Sequence, residues 1–425
     1  MTDELHENTE IQTSDLRVAL ISGNYNMVRD GPTQALNRLV AYLLDRGAKV
    51  RVYSPTVENP AIEATGDLVS LPSLAIPGRS EYRIPLGMPL KIRKNLEAFR
   101  PNLLHVASPD PSTHGAVRWA KKHGIPVLGS VHTRFDTYPR YYHMGWVEPL
   151  LTAALRRFYQ RCAMLVAPSQ SMVDLLRQQG MNANIGIWTR GVDRKLFDKE
   201  QRDLAWRRTM GIDDKTMVIG FLGRLVLEKG LDVFAETVAE LKRRSIVHKV
   251  LIVGEGPARE WLKKQIPEAA FAGFLHGSEL GRAIASMDVL LNPSVTETFG
   301  NVTLEAMACS VPVVAAAAIG SESLISDDVT GKLVAAGDIV GFANALQNYA
   351  EFPDLRREHG SSAERRSRHY CWDEINENMA KTYIELVSLR EQSNSVGKRE
   401  QPPRKMPTGI SSKPEERQGF QLEQL

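Results

Sequence analysis

Residues 218–230 read VIGFLGRLVLEKG, an apolar run followed by a glycine-bounded loop that carries two cations. The residues before Gly223 have the length and apolarity of a buried strand, and apolar residues recur at helical spacing after Gly230. A buried strand that leads through a short loop into a helix is the repeating unit of a parallel sheet covered on both faces. The stretch therefore predicts an α/β architecture for this part of the chain.

The same alternation continues on both sides of this stretch. The later apolar segments are HKVLIVGEG, AAFAGFL, DVLLNPS and VPVVAAA, and the earlier ones are LRVALI, AKVRVYS, LLHVAS, IPVLGSVH and MLVAPS. Because 425 residues are too many for one ordinary core, we predict two Rossmann-like domains at 15–190 and 200–370, with a linker near 188–200. A helix is predicted at 372–391, and polar composition predicts disordered tails at 1–14 and 392–425.

Cysteine usage and apolar runs bear on the cellular compartment. Cys162, Cys309 and Cys371 are far apart and show no metal-ligand spacing, so we expect neither a disulfide framework nor a zinc site. No run approaches the ~20 apolar residues that cross a bilayer, and the opening segment MTDELHENTE is acidic rather than signal-like. We therefore expect a cytoplasmic protein.

The net charge of +3 conceals an asymmetry between the two halves. Residues 15–195 carry 24 Lys and Arg against 13 Asp and Glu, whereas residues 196–390 carry 23 against 28. Such a basic half is either a solvated face or a surface for nucleic acid, an acidic substrate or an anionic membrane leaflet. The basic side chains include Arg79, Arg83, Lys91, Arg93 and Lys94, and also Arg156, Arg157 and Arg161 close to Trp146, Leu150, Leu151 and Phe158.

Two loops that follow predicted strands carry candidate functional residues. Arg224 and Lys229 stand at the entrance of a helix, where two cations and the helix N-terminus can bind a diphosphate. The alternative is a surface loop with incidental charges.

The second loop spans Glu297–Glu305, ETFGNVTLE, and leads into another helix. Its glycine would let backbone N–H groups approach a ligand closely. If the stretch were wholly helical, its two carboxylates would lie about 12 Å apart, wider than the acid/base pair of a glycoside hydrolase. Each carboxylate is therefore expected to hold a different part of one elongated ligand, although Glu305 could also be an ordinary exposed helix residue.

Together these segments resemble a known family. The motif GRLxxxKG, a glutamate pair spaced E-x7-E and the segments GEGP, DVLLNPS, LEAMA, VPVVA and TGKLV occur in the order found in the retaining GT-B glycosyltransferases of family 4. The resemblance spans residues 16–385. It implies two Rossmann-like domains that face each other across a cleft, with the final helix crossing back to the first domain. It also implies that the C-terminal domain binds a nucleotide diphosphate sugar.

The resemblance assigns roles to individual residues. Arg224 and Lys229 match ligands of the donor diphosphate, Gly223 belongs to the same loop, and Glu305 matches the carboxylate that binds the ribose. Glu297, with the backbone at Phe299, Gly300 and Asn301, matches the group that holds the donor sugar. The loop at Phe274 and Leu275 resembles the wall of the nucleobase site.

In the first half, the resemblance points to two more residues. His132 follows the predicted strand IPVLGS and matches a histidine that family members direct at the donor sugar, although an isolated histidine at a strand end is more often structural. Gly31 matches a glycine-rich turn near the diphosphate, but this chain has Asp30-Gly31-Pro32 where many relatives have paired glycines.

The segments PGRSEYRIPL, HVASPDP and HTRFDTYPRYY are most similar to the branch of GDP-mannose-dependent mannosyltransferases and sulfoquinovosyl- or glucuronosyl-lipid synthases. This implies GDP-mannose or a UDP-sugar as donor, a lipid or glycan acceptor and peripheral contact with the inner face of the membrane, without a nucleic-acid partner. No D-x-D triplet occurs, so no metal cofactor is expected.

Three other functions fit parts of the pattern. A sugar-nucleotide epimerase or a phosphorylase can use the same architecture, and a non-catalytic sugar-nucleotide-binding protein would share the binding residues. A dinucleotide oxidoreductase fits worse, because GNYNMVRDG lacks the spacing G-x-G-x-x-G. The donor base, the sugar, the acceptor and the oligomeric state stay open at this stage.

Overall fold

The computed structural model describes residues 10–76, 79–134 and 145–399, without the side chains of 79–81 and 394–399. Parts of the two predicted tails, residues 1–9 and 400–425, lie outside the described residues, as do residues 135–144, which contain most of the HTRFDTYPRYY segment. Within the described residues the chain forms strands and helices in alternation, as expected for an α/β protein.

The strands are β1 (Arg17–Ile21), β2 (Lys49–Ser54), β3 (Asp67–Ser70), β4 (Ser73–Ile76), β5 (Arg79–Pro85), β6 (Leu103–Val106), β7 (Val127–Ser130), β8 (Met164–Ala167), β9 (Ile185–Ile187), β10 (Val218–Leu222), β11 (Lys249–Val253), β12 (Ala270–Gly273), β13 (Val289–Asn292), β14 (Val313–Ala316) and β15 (Gly331–Val334). The α-helices are α1 (Gly31–Asp45), α2 (Leu90–Phe99), α3 (Pro111–Lys122), α4 (Glu148–Tyr159), α5 (Gln170–Gln178), α6 (Leu204–Thr209), α7 (Leu231–Arg243), α8 (Arg259–Gln265), α9 (Gly277–Ala285), α10 (Asn301–Ala308), α11 (Ile319–Leu324), α12 (Ile339–Glu351), α13 (Pro353–Ser367) and α14 (Trp372–Arg399).

Two parallel sheets organise these elements. The first has seven strands in the order β3-β2-β1-β6-β7-β8-β9, and the second has six in the order β12-β11-β10-β13-β14-β15. The central strands are buried along their whole length, as the continuous apolar runs predict for sheets covered on both faces. In each sheet the strand order reverses beside the first strand, which places a ligand crevice outside the carboxyl ends of the strands there.

Helices cover both faces of each sheet. In the first domain α2, α3, α4 and α5 pack on one face, while α1 and α14 pack on the other. In the second domain α7, α8 and α12 cover one face, and α9, α10, α11 and α13 cover the other. The prediction of two Rossmann-like units is confirmed.

The last helix crosses back to the first domain, as predicted. Met379, Tyr383 and Val387 of α14 are buried in the cluster that contains Leu16 and Leu36. The helix continues to Arg399, whereas the sequence analysis ends it at 391, because residues 391–399 contain no proline to stop a polar helix. Residues Thr13–Asp15, assigned to the predicted N-terminal tail, form one turn of 3-10 helix.

Strands β4 and β5 are an addition that the sequence analysis does not predict. They pair in antiparallel fashion and form a separate two-stranded ribbon. Two of the apolar side chains that the structure describes in the ribbon are exposed, Leu74 at 61% and Ile84 at 46%. Its strands therefore show neither the alternation nor the apolar runs by which strands are recognised.

Candidate active site

Two adjoining cavities lie between the domains, with volumes of ≈ 390 Å³ and ≈ 620 Å³. Both are lined by Gly31, Leu222, Gly223, Arg224, Asn301 and Val302. Every site residue named from the sequence lines one or both of them. The smaller cavity adds Phe274, Leu275 and Glu305, and the larger adds His132, Lys229, Glu297, Phe299 and Gly300. The predicted residues therefore share one crevice.

The loop after β10 places the two cations. Gly254, after β11, makes this arrangement possible: its φ is +136°, and a β-carbon there would lie 2.0 Å from the carbonyl oxygen of Gly223. The loop carrying Arg224 can therefore press against the end of β11. A 3-10 turn at Leu227–Lys229 then leads through a left-handed Gly230 into α7, which sets Lys229 beside the helix N-terminus.

The loop after β13 places the first carboxylate opposite Lys229. The ammonium Nζ of Lys229 lies 3.2 Å from Oε1 of Glu297, and the two side chains are 30% and 15% exposed. The segment Glu297–Glu305 is helical only from Asn301, where α10 begins, and Gly300 precedes the helix with a left-handed φ of 96°. Glu297 therefore lies in the loop ahead of α10, on the side of the larger cavity.

The N-termini of two helices meet across the cleft. Helix α1 of the first domain begins at Gly31, and α10 of the second domain begins at Asn301. A β-carbon at position 31 would lie 2.3 Å from Nδ2 of Asn301, so glycine permits this close approach. The N-terminus of α10 has no side-chain cap, whereas Asp30 caps α1. Because uncapped N–H groups carry partial positive charge, the start of α10 and the two cations make a site suited to an anion.

Glu305 lies one turn into α10 and faces the smaller cavity. Burial, together with the nearby Glu297 carboxylate, raises the pKa of Glu305 to about 8, while Arg29 acts in the opposite direction. Glu305 is half-buried and lines the smaller cavity. A pair of ribose hydroxyls could satisfy it there.

The far wall of the smaller cavity has an aromatic ring. Phe274 is 66% exposed, and its ring stacks with His276 at 6.2 Å between centroids. Leu275 and Leu280 line the same wall. An exposed ring beside apolar side chains provides a stacking surface for a flat heterocycle.

His132 lines the larger cavity, but both of its ring nitrogens already have partners. Nδ1 lies 2.7 Å from a guanidinium nitrogen of Arg190, and Nε2 lies 2.9 Å from Oγ of Ser130. Its backbone carbonyl accepts a hydrogen bond of 2.8 Å from Thr298, which precedes Phe299 in the second domain. The structure thus places the histidine at the site, with both of its ring nitrogens hydrogen-bonded to protein side chains.

Several residues of the site were not found from the sequence. Arg29 and Arg38 line the smaller cavity, and Asp30, Tyr82, Arg190 and Thr298 line the larger one. Arg190 lies in the predicted linker, and its only signal is an arginine two residues after the end of the apolar run IGIW. Thr298 lies inside a quoted motif, yet nothing in its spacing shows that its hydroxyl reaches the other domain.

Comparison with known proteins agrees with this geometry. A family model described as Glycosyltransferase Family 4 matches residues 29–196, and one described as Glycosyl transferases group 1 matches residues 216–351. The two matches fall on the first and second domains.

Among solved structures, the chain resembles sucrose-phosphate synthase from Thermosynechococcus elongatus with a TM-score of 0.75, at 20% identity over 88% of this chain and 99% of that one. It resembles the Anabaena protein HepE in complex with UDP with a TM-score of 0.67, at 19% identity over 86% of this chain and 98% of that one. These likenesses identify the fold as GT-B.

The relatives found by sequence comparison are more similar to this chain than these solved structures are, and they identify its family. A GDP-mannose-dependent alpha-mannosyltransferase of Corynebacterium glutamicum is 30% identical over 88% of this chain and 90% of its own length. A protein of the same description from Mycolicibacterium smegmatis is 31% identical over 88% and 99%. Sulfoquinovosyl transferase SQD2 of Arabidopsis thaliana is 30% identical over 80% and 68%. With relatives at this identity along nearly its whole folded length, a GT-B fold and the predicted residues gathered in one cleft, the chain belongs to the family 4 glycosyltransferases and is an enzyme that uses nucleotide sugars.

Proposed function

We propose that this enzyme transfers a sugar from GDP-mannose or a UDP-sugar to a hydroxyl group of a membrane lipid or glycan precursor, with retention of anomeric configuration and without a metal ion. The observation that carries the proposal is the shared crevice. Arg224 lines both cavities, Lys229 pairs with Glu297 in one, and Glu305 lines the other. The arrangement fits a nucleoside in the smaller cavity, a diphosphate at the boundary and a sugar in the larger cavity.

The names of the relatives support the donor and acceptor classes. Two of the relatives described above are named as GDP-mannose-dependent mannosyltransferases, and SQD2 is named as a sulfoquinovosyl transferase. A more distant relative, 24% identical over 70% of this chain, is the alpha-monoglucosyldiacylglycerol synthase of Acholeplasma laidlawii.

In the proposed mechanism, the bond between the sugar C1 and the phosphate oxygen lengthens first. Arg224, Lys229 and the N-terminus of α10 stabilise the charge that develops on the departing diphosphate. The acceptor hydroxyl then bonds to C1 on the face from which the phosphate leaves, and its proton passes to the leaving phosphate oxygen. Two carboxylates near the sugar have other partners, since Asp30 caps α1 and Glu297 pairs with Lys229.

No step in this mechanism requires a metal ion, because side-chain cations and helix N-termini supply the positive charge. Among the residues that the structure describes, no three His, Cys, Asp or Glu side chains converge into a group that could hold one. The proposal therefore includes full activity in the presence of a chelator.

The proposed membrane contact lies on the first domain. Trp146, in the 3-10 turn Gly145–Val147 just before α4, and Leu150, in the first turn of α4, are 81% and 72% exposed, while Leu155 and Phe158 of α4 are buried. The helix thus packs on its sheet through one face and presents a second apolar surface. Further exposed apolar side chains lie in and beside the β4–β5 ribbon and at the start of α2, next to basic residues: Leu74, Ile84, Leu86, Leu90, Lys91 and Lys94.

Exposed apolar side chains beside basic ones are typical of proteins that lie on an anionic leaflet. No helix within the described residues has both the length and the apolarity that crossing a bilayer requires. We propose surface contact at the inner face of the membrane, in the cytoplasm, with no role for nucleic acid.

A donor and product analysis tests the proposed function. Calorimetry against GDP- and UDP-sugars identifies the donor, and incubation with that donor and lipid acceptors, with EDTA present, should yield a glycosylated product. The anomeric coupling constant of the product, measured by NMR, should match that of the donor sugar. Inversion at C1, or a requirement for added metal, would contradict the mechanism, and isomerised donor without acceptor product would indicate an epimerase.

A further inference from the structure

A continuous line of buried polar side chains runs from the last helix to the wall of the cleft. The Tyr383 hydroxyl lies 2.6 Å from Nδ1 of His105, and Nε2 of His105 lies 2.7 Å from Oγ of Ser130. Ser130 in turn contacts Nε2 of His132 at 2.9 Å, and Nδ1 of His132 contacts Arg190 at 2.7 Å. None of the five side chains belongs to a residue more than 9% exposed.

Arginine fixes the direction of the two hydrogen bonds that the His132 ring makes in this line, because a guanidinium can only donate. Arg190 donates to Nδ1 of His132, so a neutral His132 carries its proton on Nε2 and donates it to Ser130. The Ser130 hydroxyl is then free to donate to Nε2 of His105. In that arrangement His105 carries its proton on Nδ1 and donates to the oxygen of Tyr383; with the other tautomer of His105, Ser130 accepts from both rings and Tyr383 donates to Nδ1.

Both imidazoles in the line are neutral at physiological pH. Burial lowers the pKa of His105 to about 3. Burial also holds the pKa of His132 well below its ordinary value, and the charge of Arg190 and the neighbouring His105 act in the same direction. The larger cavity, which His132 lines from the first domain, is lined from the second domain by two other titratable residues, Lys229 and Glu297.

Two backbone carbonyls and an aromatic ring hold the Arg190 side chain in place. It donates to the backbone carbonyl of Trp188 at 2.8 Å and of Thr189 at 3.1 Å, and its guanidinium lies over the Trp188 ring at 4.9 Å from the centroid. Burial lowers the pKa of Arg190 to about 9, with Asp30 acting in the opposite direction. The side chain therefore stays cationic at neutral pH, in a fixed orientation.

Resting on the function proposed above, we propose that Arg190 is a positioning residue for sugar transfer, which holds His132 as a neutral, fixed ring beside the donor sugar. Charge gives this arrangement its value. A sugar that loses its phosphate passes through a state with positive charge near C1, as in other glycosyl transfers. Arg190 already provides one positive charge in the wall of this cavity, and a neutral His132 ring does not add a second one to repel the sugar.

His132 also contacts the loop after β13 in the second domain. The carbonyl of His132 accepts from Thr298, whose own carbonyl accepts a hydrogen bond of 3.0 Å from Ser169. Thr298 is adjacent to Glu297, so a displaced His132 would also shift the carboxylate assigned to the donor sugar. We therefore expect loss of Arg190 to lower kcat more than it raises the KM for the donor.

The first test reads the ring directly by NMR. The protein is labelled with 13C and 15N in histidine only, and the His132 signals are assigned by comparison with His132→Gln. In the wild-type protein without substrate we expect Nδ1 to be unprotonated and Nε2 to carry the proton. In Arg190→Met, which keeps the length but has no donor, the Nδ1–H form should appear, whereas Arg190→Lys should restore the wild-type pattern in part.

The second test measures the reaction in the same variants. Arg190→Met should lower kcat by about 10- to 100-fold, a loss similar to that caused by removing the residue that orients a metal-bound histidine, with a smaller change in donor KM and partial recovery in Arg190→Lys. Removing the arginine charge raises the pKa of His132, so the activity of Arg190→Met should also fall on the acid side, where the ring gains a proton. Wild-type activity should not fall at the acidic pH values at which Arg190→Met loses activity.

Two matched tyrosine variants distinguish the effect of breaking this hydrogen-bonded line from the effect of losing a tyrosine hydroxyl elsewhere on α1 and α14. Tyr383→Phe removes the last hydroxyl of the line, and Tyr42→Phe removes a hydroxyl that joins α1 to Glu377 of α14 outside it. We expect Tyr383→Phe to alter the His105 and His132 signals and Tyr42→Phe to leave them unchanged. Should Arg190→Met fail to fold, the wild-type tautomer and the pattern in Arg190→Lys still test the proposal, because a wild-type ring that carries its proton on Nδ1 contradicts it.

A wild-type His132 with its proton on Nδ1, or ring signals and kcat unchanged by loss of Arg190, would overturn the proposal. The ring signals need no substrate, so they decide the tautomer even in a preparation that transfers nothing. Absence of any transfer by the wild-type enzyme would instead contradict the proposed function.

Discussion

At the scale of single residues, Glu305 shows what a motif can and cannot predict. Its spacing from Glu297 marks it as a candidate, but an isolated glutamate in a helix is equally well an exposed surface residue. The structure places it at the bottom of a cavity, where burial and a second carboxylate raise its pKa to about 8. This burial depends on residues of the first domain that lie opposite α10 across the cavity, and no local sequence pattern encodes a contact between domains.

Glu305 should make the stability of the unliganded enzyme depend on pH. A pKa raised in the folded state means that the folded protein holds a proton that the unfolded chain has already lost, so the free energy of unfolding falls as pH rises from about 4.5 to about 8 and levels off above. Glu305→Gln removes this titration. Chemical denaturation at pH 5 and pH 9 should therefore show Glu305→Gln gaining stability relative to wild type at the higher pH.

Glu374→Gln, at an exposed glutamate of α14, serves as the control and should track the wild type at both pH values. A stability difference between Glu305→Gln and wild type that stays constant from pH 5 to pH 9 would show that the carboxyl titrates normally.

At the scale of elements, strands flanked by glycine and followed by amphipathic helices were predictable because the signal is local. The strand β10, the loop with Arg224 and Lys229 and the helix α7 follow the predicted order. The β4–β5 ribbon was missed because its strands are exposed and lack alternation. The approach of the N-termini of α1 and α10 was also beyond prediction, since it joins residues in different domains.

Gly31 lets these two N-termini meet, and its substitution gives a prediction at this scale. A methyl group at position 31 forces the Asn301 amide to turn away from the cavity, because the two would otherwise lie 2.3 Å apart. We expect Gly31→Ala to raise the donor KM about tenfold, which corresponds to a loss of about 1.4 kcal/mol. Steady-state kinetics with the identified donor is the measurement.

Two controls make this result interpretable. Gly145→Ala places its methyl group in open space and should leave the KM unchanged. In an Asn301→Ala background, Gly31→Ala should have no further effect, because the group that it displaces is gone. Additive effects of the two substitutions would mean that Gly31 acts through something other than Asn301.

At the scale of the whole molecule, the two domains, the crossing helix and the charge asymmetry were visible in the sequence, whereas the contacts between domains were not. Thr298 joins the second domain to His132 and Ser169 of the first. Arg38 of α1 pairs with Asp193 at 3.2 Å in the segment between the two sheets. These polar contacts depend on how the finished domains meet, which composition and periodicity do not specify.

The exposed apolar surface on the first domain predicts membrane binding. Trp146→Ser with Leu150→Ser should weaken binding to vesicles that contain anionic lipid by at least about tenfold, because burying each side chain contributes roughly 1.5–3 kcal/mol. Cosedimentation with anionic and with neutral vesicles measures the effect. Val247→Ser, at a residue of the second domain that is 77% exposed, is the matched control. Equal loss in the control, or no preference for anionic vesicles, would argue against this surface.

The central claim is that Arg224 and Lys229 bind the diphosphate of a nucleotide sugar, and calorimetric titration of GDP and UDP tests it most directly. Wild-type enzyme should bind one of them, and Arg224→Ala and Lys229→Ala should each weaken that binding by about tenfold or more, since a hydrogen bond to a charged group contributes about 1.5–3 kcal/mol. Lys242→Ala, at an exposed lysine of α7, should bind like wild type, and binding of the nucleoside without phosphates should be the same in every variant. Wild-type affinity for the diphosphate in both Arg224→Ala and Lys229→Ala would contradict the account.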